Sequence, residues 1–357
     1  MTQFRRHLQV LMLLAVAVLV IACGGSGTTP TQSASGAETT PTESASGTPE
    51  GGEEPVRIAM FLASAANAYA QAQLEGAQEV AAQMNATIDS FDGQFDSQRQ
   101  YTQLQDAIAS GKYDAFVISP NDGNALLPVT EEAVAAGIVI GCILAPCGSS
   151  FETLEPQVEG QVVFAGIPFF ENGAQIAELV VQACEGKDPC KVAYMPGAPE
   201  LPLETARLQG FNSVIEQHPH IQVILTSAGG YLAESALPVA QDVLRANPDI
   251  AVFASSGDQM INGVEQAVKD AGLEGKVALV GNGGTKSAVQ AVREGRWFGT
   301  VAGYPRSEGK LATEYVIRAV RGEDVTPRGF GSEDLGAGIG PLITQDNAND
   351  FEAEWEG

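Results

Sequence analysis

Cysteine and histidine are the side chains of this 357-residue sequence best suited to nucleophilic or metal chemistry. Cys23 stands alone, whereas Cys142 and Cys147 form a local pair in "CILAPC", and Cys184 and Cys190 form another in "CEGKDPC". Zinc binding is the alternative for such pairs, but the usual two-residue ligand spacing is absent and no histidine lies nearby. No metal is therefore expected, and both pairs are interpreted as disulfides, provided that the chain reaches an oxidising compartment.

Catalytic and nucleotide-binding patterns are absent from the sequence. His218 and His220 lie close together in "EQHPHIQ", and no Gly-x-Ser-x-Gly elbow occurs to pair with them. The segment "GNGGTKS" superficially resembles a phosphate loop, but Thr285 interrupts the glycine-lysine-serine end that this motif requires. Neither an enzyme nor a bound cofactor is therefore expected.

The first 22 residues have the pattern of a secretory signal. Arg5 and Arg6 precede an unbroken apolar run from Val10 to Ala22. At a rise of 1.5 Å per residue, a helix of this length reaches only about 20 Å, whereas a membrane span needs about 30 Å. An uncleaved anchor helix is the alternative that this length disfavours.

The end of the apolar run resembles the bacterial lipobox. Val20 is the aliphatic residue three before Cys23, and Ala22 is the small residue just before it. The resemblance implies removal of residues 1–22, lipidation of Cys23 and anchoring of the mature chain to a membrane. Residues 23–54 are then predicted to be a disordered tether, because residues 24–54 contain no large apolar side chain and cannot offset the entropy of ordering.

The chain is strongly acidic, with a formal net charge of −25. Removal of the signal leaves 17 basic residues against 44 acidic ones. The negative electrostatic field of such a chain repels phosphate backbones, so no nucleic-acid partner is expected. Solubility outside the cell explains the charge more simply than a specific cationic ligand.

The remaining body, residues 55–357, alternates strand-like and helical segments. Its length exceeds what one hydrophobic core usually accommodates, which predicts two domains. Apolar strands separated by helices predict parallel sheets covered on both faces, and therefore two doubly wound α/β lobes. A single eight-stranded barrel is the alternative. The predicted strands are "VRIAMFLA", "ATIDSF", "AFVISP", "VIGCIL", "VVFAGI", "KVAYMP", "IQVILTS", "AVFASS", "VALVGN" and "GTVAGY".

A run of motifs between residues 56 and 320 resembles the type I periplasmic binding proteins of the ribose and galactose class. The motifs stand in order along the chain: "IAMFLASAANAYAQAQLEGAQEVA", "YDAFVISPNDGNALLPVTEEAVAAGIVI", "ETARLQGF", "NPDIAVFASSGDQMINGVEQAV", "VALVGNGGT" and "GTVAGYP". The family consists of solute receptors of bacterial ABC importers. The resemblance implies two Rossmann-like lobes joined by three crossovers, with a small solute bound between them and an ABC permease as the partner.

The resemblance also implies where the lobes divide. The N-terminal lobe takes residues 55–165 and 304–335, and the C-terminal lobe takes residues 166–303 and 336–357. The third crossover falls in the glycine-rich "DLGAGIGPL", residues 334–342, which suits a hinge. An ordinary surface loop is the alternative there.

Eight positions are implied as ligand contacts. Asn67 and Tyr69 follow the first strand, and Tyr231 occupies the position of the family's stacking aromatic residue. Aromatic faces and amides together suit a polyol. A core or capping role is the alternative for each of the three. The remaining positions are Thr205, Ser256, Asp258, Asn282 and Tyr304.

Several ligand-binding groups of the family's sugar-binding members are replaced in this chain. Leu144 and Ala145 stand where those members carry an Asp-Arg pair, and Thr205 replaces a ligand-clamping arginine. Gly283 replaces an aspartate and Gly303 a glutamine, while Arg207 is retained in a position that is more structural. Each lost charge-assisted hydrogen bond removes roughly 1.5 to 3 kcal/mol. We therefore expect a solute that is larger or less polar than a pentose, with a sugar or sugar derivative as the leading class.

Two other functions are compatible with this type of body. A transcriptional repressor shares it, but would need a DNA-reading helix pair and a basic face. A sensor that reports occupancy to a chemoreceptor or histidine kinase remains an alternative to transport. The sequence predicts a monomeric solute-binding lipoprotein, held outside the cytoplasm by its lipid anchor.

Overall fold

The structure is a computed structural model that describes residues 54–336 and 338–357. The signal peptide, the Cys23 anchor and most of the predicted tether lie outside the described residues. No helix in the described part of the chain combines the length and the apolar character needed to cross a membrane.

Strands and helices alternate through the described residues. The strands are β1 Val56–Leu62, β2 Ala86–Asp92, β3 Ala115–Ile118, β4 Val139–Leu144, β5 Gln161–Gly166, β6 Cys190–Met195, β7 Ile221–Leu225, β8 Val252–Ser255, β9 Ala278–Gly283, β10 Gly299–Ala302, β11 Arg328–Phe330 and β12 Leu342–Thr344. The helices are α1 Ala68–Gln83, α2 Ser97–Ser110, α3 Gly123–Ala135, α4 Phe169–Ala183, α5 Pro202–Ile215, α6 Ala233–Ala246, α7 Asp258–Asp270, α8 Lys286–Arg293, α9 Pro305–Val320 and α10 Ser332–Leu335.

Within the described ranges, these strands form two six-stranded sheets. The first has the order β11-β5-β4-β3-β1-β2, and the second has the order β12-β10-β9-β8-β6-β7. All neighbouring strands are parallel except β10 and β12. The predicted fold class of two doubly wound α/β lobes is confirmed, and the alternative of a single barrel is wrong.

The chain passes between the two sheets three times. It leaves the first sheet after β5, returns to it through α9 and β11, and finally adds β12 to the second sheet. Helix α9 packs on α1 and against β4 and β5, so it belongs to the first lobe although it follows β10. We call the first sheet with its helices the first lobe, and the second sheet with its helices the second lobe.

Both lobes contain helices whose backbones approach each other closely. In the first lobe, a Cβ atom on Gly76 of α1 would lie 2.1 Å from the carbonyl oxygen of Arg306. In the second lobe, a Cβ atom on Gly173 of α4 would lie 1.8 Å from the carbonyl oxygen of Arg207 in α5. Because only glycine permits such an approach, these crossings hold the beginnings of α1 and α5 in register with their sheets.

The four described cysteines lie in the predicted pairs. The Sγ atoms of Cys142 and Cys147 are 1.93 Å apart, and those of Cys184 and Cys190 are 2.08 Å apart. Cys184 directly follows α4 and Cys190 begins β6, so the second pair links a helix end to the next strand.

Candidate ligand-binding site

A cavity lies between the lobes, beyond the carboxyl ends of the strands. It has about 720 Å³ of space between its walls, with its open mouth included. Ligands of open parallel sheets bind at this edge, because the loops that follow the strands converge there. The first lobe contributes Asn67, Tyr69, Phe95, Asn121 and Leu144 to the walls, and the second lobe contributes Phe169, Arg207, Tyr231, Ser256, Gln259, Asn282 and Trp355.

Asn67 and Tyr69 line the cavity from the beginning of α1. The Asn67 Oδ1 atom accepts hydrogen bonds from the backbone nitrogens of Tyr69, at 2.8 Å, and of Ala70, at 3.4 Å. Asn67 is therefore also the N-cap of the helix. The Tyr69 hydroxyl donates to Glu308 Oε1 at 2.7 Å. Burial, together with the Glu308 carboxyl, raises the pKa of Tyr69, so its hydroxyl stays protonated and its ring is held in place.

Tyr231 lines the opposite wall, in a backbone conformation that few non-glycine residues adopt. Its φ is 57°. Its ring rests on the backbone of Gly197, where a Cβ atom would lie 2.2 Å from the ring. Its centroid is 6.2 Å from that of Phe95, which comes from the first lobe. The two rings are therefore in contact, and the walls of the two lobes meet at this point.

A buried network of hydrogen bonds supports the second-lobe wall. Glu204 pairs with Arg207 and accepts the Tyr231 hydroxyl, and its Oε2 atom accepts from Ser256 Oγ at 2.8 Å. Burial, the largest single influence, lowers the pKa of Arg207, but the Glu204 carboxylate together with the Tyr231 and Tyr194 hydroxyls raises it above its ordinary value. The charged pair is therefore balanced within the protein.

Asn282 joins the same network through Asn172. The Nδ2 atom of Asn172 donates to Asn282 Oδ1 at 2.9 Å, and its Oδ1 atom accepts from Arg207 Nε at 2.8 Å. Asn282 Nδ2 donates to the carbonyl oxygen of Ser256 at 2.9 Å. Ser256 and Asn282 consequently line the cavity while their polar atoms already have protein partners.

Three predicted contact residues do not line the cavity. Thr205 lies on the exposed face of α5, because one residue along a helix turns the side chain by about 100° and it is Glu204 that faces inward. Asp258 is fully buried behind the wall, where it accepts from Thr300 Oγ1 at 2.7 Å and from the Thr285 backbone nitrogen at 2.9 Å. Tyr304 is buried against Phe351, with ring centroids 5.8 Å apart.

Several wall residues were not predicted from the sequence. Phe95 and Leu144 have φ angles of 55° and 65°. With Tyr231, they are three of the five non-glycine residues of positive φ among the described residues, and all three line the cavity. Such conformations cost about 1 to 3 kcal/mol each and concentrate at functional sites. No pattern in the sequence signals them.

The largest unpredicted side chain is Trp355, from the tail segment, residues 345–357. Its indole nitrogen donates to the carbonyl oxygen of Gly283 at 2.8 Å, and its ring meets that of Tyr69 edge-on, with centroids 5.1 Å apart. The preceding Glu354 accepts from the Ser307 backbone nitrogen, at 3.0 Å, at the beginning of α9. The tail segment therefore joins the lobes beside the cavity.

The arrangement suits binding rather than catalysis. His218 and His220 lie in the turn before β7 and do not line the cavity. Across residues 54–336 and 338–357, no group of three or more histidine, cysteine or acidic side chains is placed to hold a metal ion. The walls present aromatic rings and amides from two lobes to one enclosed space, as solute-binding sites do.

The family profile described as the periplasmic binding protein domain matches residues 58–324. The ribose import binding protein RbsB of Bacillus subtilis is 26% identical over 275 residues, covering 77% of this chain and 85% of that protein. The D-allose-binding periplasmic protein of Escherichia coli is 25% identical over 274 residues, covering 75% and 86%.

Solved structures show the same fold. An ABC transporter solute-binding protein of Bacillus halodurans with bound myo-inositol superposes with a TM-score of 0.71 at 21% identity, covering 85% of this chain and 99% of that one. A periplasmic solute-binding protein of Actinobacillus succinogenes with bound D-allose gives a TM-score of 0.69 at 23% identity, covering 83% and 100%. The chain belongs to the periplasmic binding protein family, whose members bind solutes and are not enzymes.

Proposed function

We propose that the protein captures a sugar or sugar derivative in the cavity between its lobes and delivers it to an ABC importer. The observation that carries the proposal is the placement of aromatic rings from both lobes around one cavity, with Tyr69 on one side and Tyr231 on the other. A ligand that touches both lobes favours the closed arrangement, because it binds that arrangement more tightly than the open one. The names of the relatives, which bind ribose, allose and inositol, support the solute class.

The proposed site contains Asn67, Tyr69, Tyr231, Ser256 and Asn282. We retain as proposed lobe boundaries residues 55–165 with 304–335, and residues 166–303 with 336–357. The order of the strands in the two sheets supports this division. A single chain is sufficient to form the walls of the cavity, which supports a monomer as the working form.

Replacing Tyr231 by alanine is expected to weaken sugar binding by about 1 to 3 kcal/mol, the loss typical of an aromatic contact. Tyr231→Phe is the matched control, because it keeps the ring and removes only the hydroxyl that bonds to Glu204. Titration calorimetry with D-ribose, D-allose and myo-inositol measures the affinities. Unchanged affinity in both Tyr69→Ala and Tyr231→Ala, for a sugar that binds the wild type, would remove both rings from the site.

The protein is further proposed to act outside the cytoplasm as a lipoprotein, with Cys23 as the lipidated residue and both cysteine pairs oxidised. Membership of a family of periplasmic proteins supports the location. The placement of the four cysteines in two adjacent pairs supports the disulfides.

Cys23→Ser is expected to abolish lipidation and to release the protein from the membrane fraction. Labelling with a radioactive fatty acid, followed by fractionation, measures both effects. Cys184→Ser is the control, since it removes a cysteine that lies outside the lipobox-like segment of the sequence and should leave labelling intact. A Cys23→Ser protein that still incorporates the label would exclude the lipoprotein assignment.

A further inference from the structure

The walls of the cavity are mainly apolar. Aromatic rings come from both lobes and from the tail segment, and Leu144, Leu201 and Leu203 fill the space between them. The polar wall groups described above are largely occupied by each other: Arg207 by Glu204, and Asn282 by Asn172 and Ser256. Arg207 and Asn282 therefore have little hydrogen-bonding capacity left for a fully hydroxylated solute.

The charges of the wall are balanced within the part of the chain that the structure describes. Arg207 is the cationic side chain of the wall, and its guanidinium lies against the Glu204 carboxylate with both side chains almost completely buried. A charged ligand would have to give up its hydration without gaining a free counter-charge, which costs several kcal/mol. The site therefore favours a neutral solute.

Trp355 fills the space that a glycine leaves open at the end of β9. A Cβ atom on Gly283 would lie 2.8 Å from the Trp355 ring. A Cβ atom on Gly303 would likewise lie 3.2 Å from the ring of Tyr69. At both glycines, an aromatic ring lies where the side chain of the aspartate or glutamine of the family's sugar-binding members would extend.

Of the fully buried polar side-chain atoms of the wall residues, one has no hydrogen-bond partner among the described residues. The Asn121 side chain is 2% exposed, and its Nδ2 atom donates to the carbonyl oxygen of Ala63 at 3.1 Å. Its Oδ1 atom is buried and has no hydrogen-bond partner among the described residues. Because an unsatisfied buried acceptor is unfavourable, a ligand that donates a hydrogen bond to this oxygen gains binding energy.

We propose that the solute is neutral, carries an apolar or aromatic ring besides its hydroxyl groups, and donates to Asn121, with Trp355 as the specificity-determining contact. This inference rests on the proposed function and narrows it from sugars in general to sugars that bear an apolar substituent, such as nucleosides and aryl glycosides. The ring lies against the aromatic wall formed by Trp355 and Tyr69, where stacked or edge-on contacts contribute beyond the area that they bury.

Titration calorimetry with matched pairs of compounds tests the inference on the wild-type protein. The pairs are D-ribose with inosine and with adenosine, and D-glucose with phenyl β-D-glucopyranoside. At least one ring-bearing compound is expected to bind tenfold or more tightly than its free sugar. Free sugars that bind as tightly as their ring-bearing partners, or more tightly, would overturn the inference and leave the proposed function standing. Failure of every compound to bind would count against both.

Variants of Trp355 and Trp297 test which residue causes the preference for the ring-bearing compound. Trp355→Ala is expected to remove the preference for the ring-bearing compound, and Trp355→Phe to retain most of it. Trp297→Phe is the matched control, because Trp297 is buried in the second-lobe core and does not line the cavity. Circular dichroism checks that each variant is folded. If folded Trp355→Ala still prefers the ring-bearing compound, Trp355 is not the specificity-determining contact. The calorimetric comparison of matched compounds on the wild-type protein does not depend on any variant.

Discussion

Replacing Arg207 by leucine is expected to lower the free energy of unfolding by about 3 to 5 kcal/mol. The Arg207 and Glu204 side chains are only 4% and 3% exposed, so removal of the cation leaves a carboxylate buried without a counter-charge. Asn172 and the Tyr231 hydroxyl lose a donor at the same time. Urea denaturation monitored by circular dichroism measures the loss.

Two controls separate burial from charge in this experiment. Arg245→Leu removes an equally spaced pair, with Asp242, whose side chains are 74% and 75% exposed, and should change stability little. Combining Arg207→Leu with Glu204→Gln should recover part of the loss, because the uncompensated charge is removed as well. A loss below about 1 kcal/mol for Arg207→Leu alone would contradict the account of the buried network.

Glu308 is expected to make the protein less stable as the pH rises from about 4.5 to about 8. Burial raises the pKa of this carboxyl from 4.5 to about 8, so between these values the folded protein holds a proton that the unfolded chain has released. Stability therefore falls with increasing pH across that window, by roughly 3 to 5 kcal/mol in total. The stability that the protonated Glu308 carboxyl contributes is complete below about pH 4.5 and lost above about pH 8.

Burial is the main cause of the raised pKa of Glu308, and the hydrogen bonds from Tyr69 and Gln73 partly oppose it. Gln73 Nε2 donates to Glu308 Oε2 at 2.7 Å, while Gln73 Oε1 is buried without a partner among the described residues. Rotating this amide by half a turn would let Gln73 Oε1 accept a hydrogen bond from protonated Glu308, and amide orientations are assigned from such networks. The Glu354 carboxylate raises the pKa further.

Glu308→Gln tests this expectation, because a glutamine keeps the shape of the side chain and cannot titrate. The stability difference between the wild type and the variant should change steadily in the variant's favour between pH 5 and pH 9. Subtracting the two curves removes the contributions of other groups, including Asp258, whose pKa burial raises to about 6. Glu178→Gln, on an exposed position of α4, should leave the wild-type curve unchanged. Parallel curves for the wild type and Glu308→Gln would refute the assignment.

The sequence predicted the strands that are buried and missed those that are short. β1 through β10 lie where strand-like segments predicted them. The inner strands are apolar along most of their length because helices cover both faces, whereas the edge strands β2 and β7 are partly exposed. β11 and β12 have three residues each, too few to show any periodicity. Pairing with β5 and β10 defines them, and that pairing is a tertiary interaction.

The site was predictable where a side chain follows directly from its position after a strand. Asn67, Tyr69 and Tyr231 line the cavity for that reason, and their contact with a solute stays a prediction. Thr205 does not line the cavity, because the motif places it on a helix without settling which face of that helix it occupies. Trp355 could not be predicted, because a tail segment reaches its place only through contacts with residues distant in the sequence, such as Gly283.

The three passages between the sheets have a consequence for biosynthesis. The first sheet receives its last strand only with residues 328–330, which follow the five parallel strands of the second sheet along the chain. The first lobe therefore cannot be completed before most of the second lobe has been made, so the two lobes cannot fold one after the other. Because β5 remains an edge strand until β11 is added, the incomplete chain exposes a strand that can pair with other chains. Chaperones that shield exposed strand edges should therefore raise the yield of folded protein.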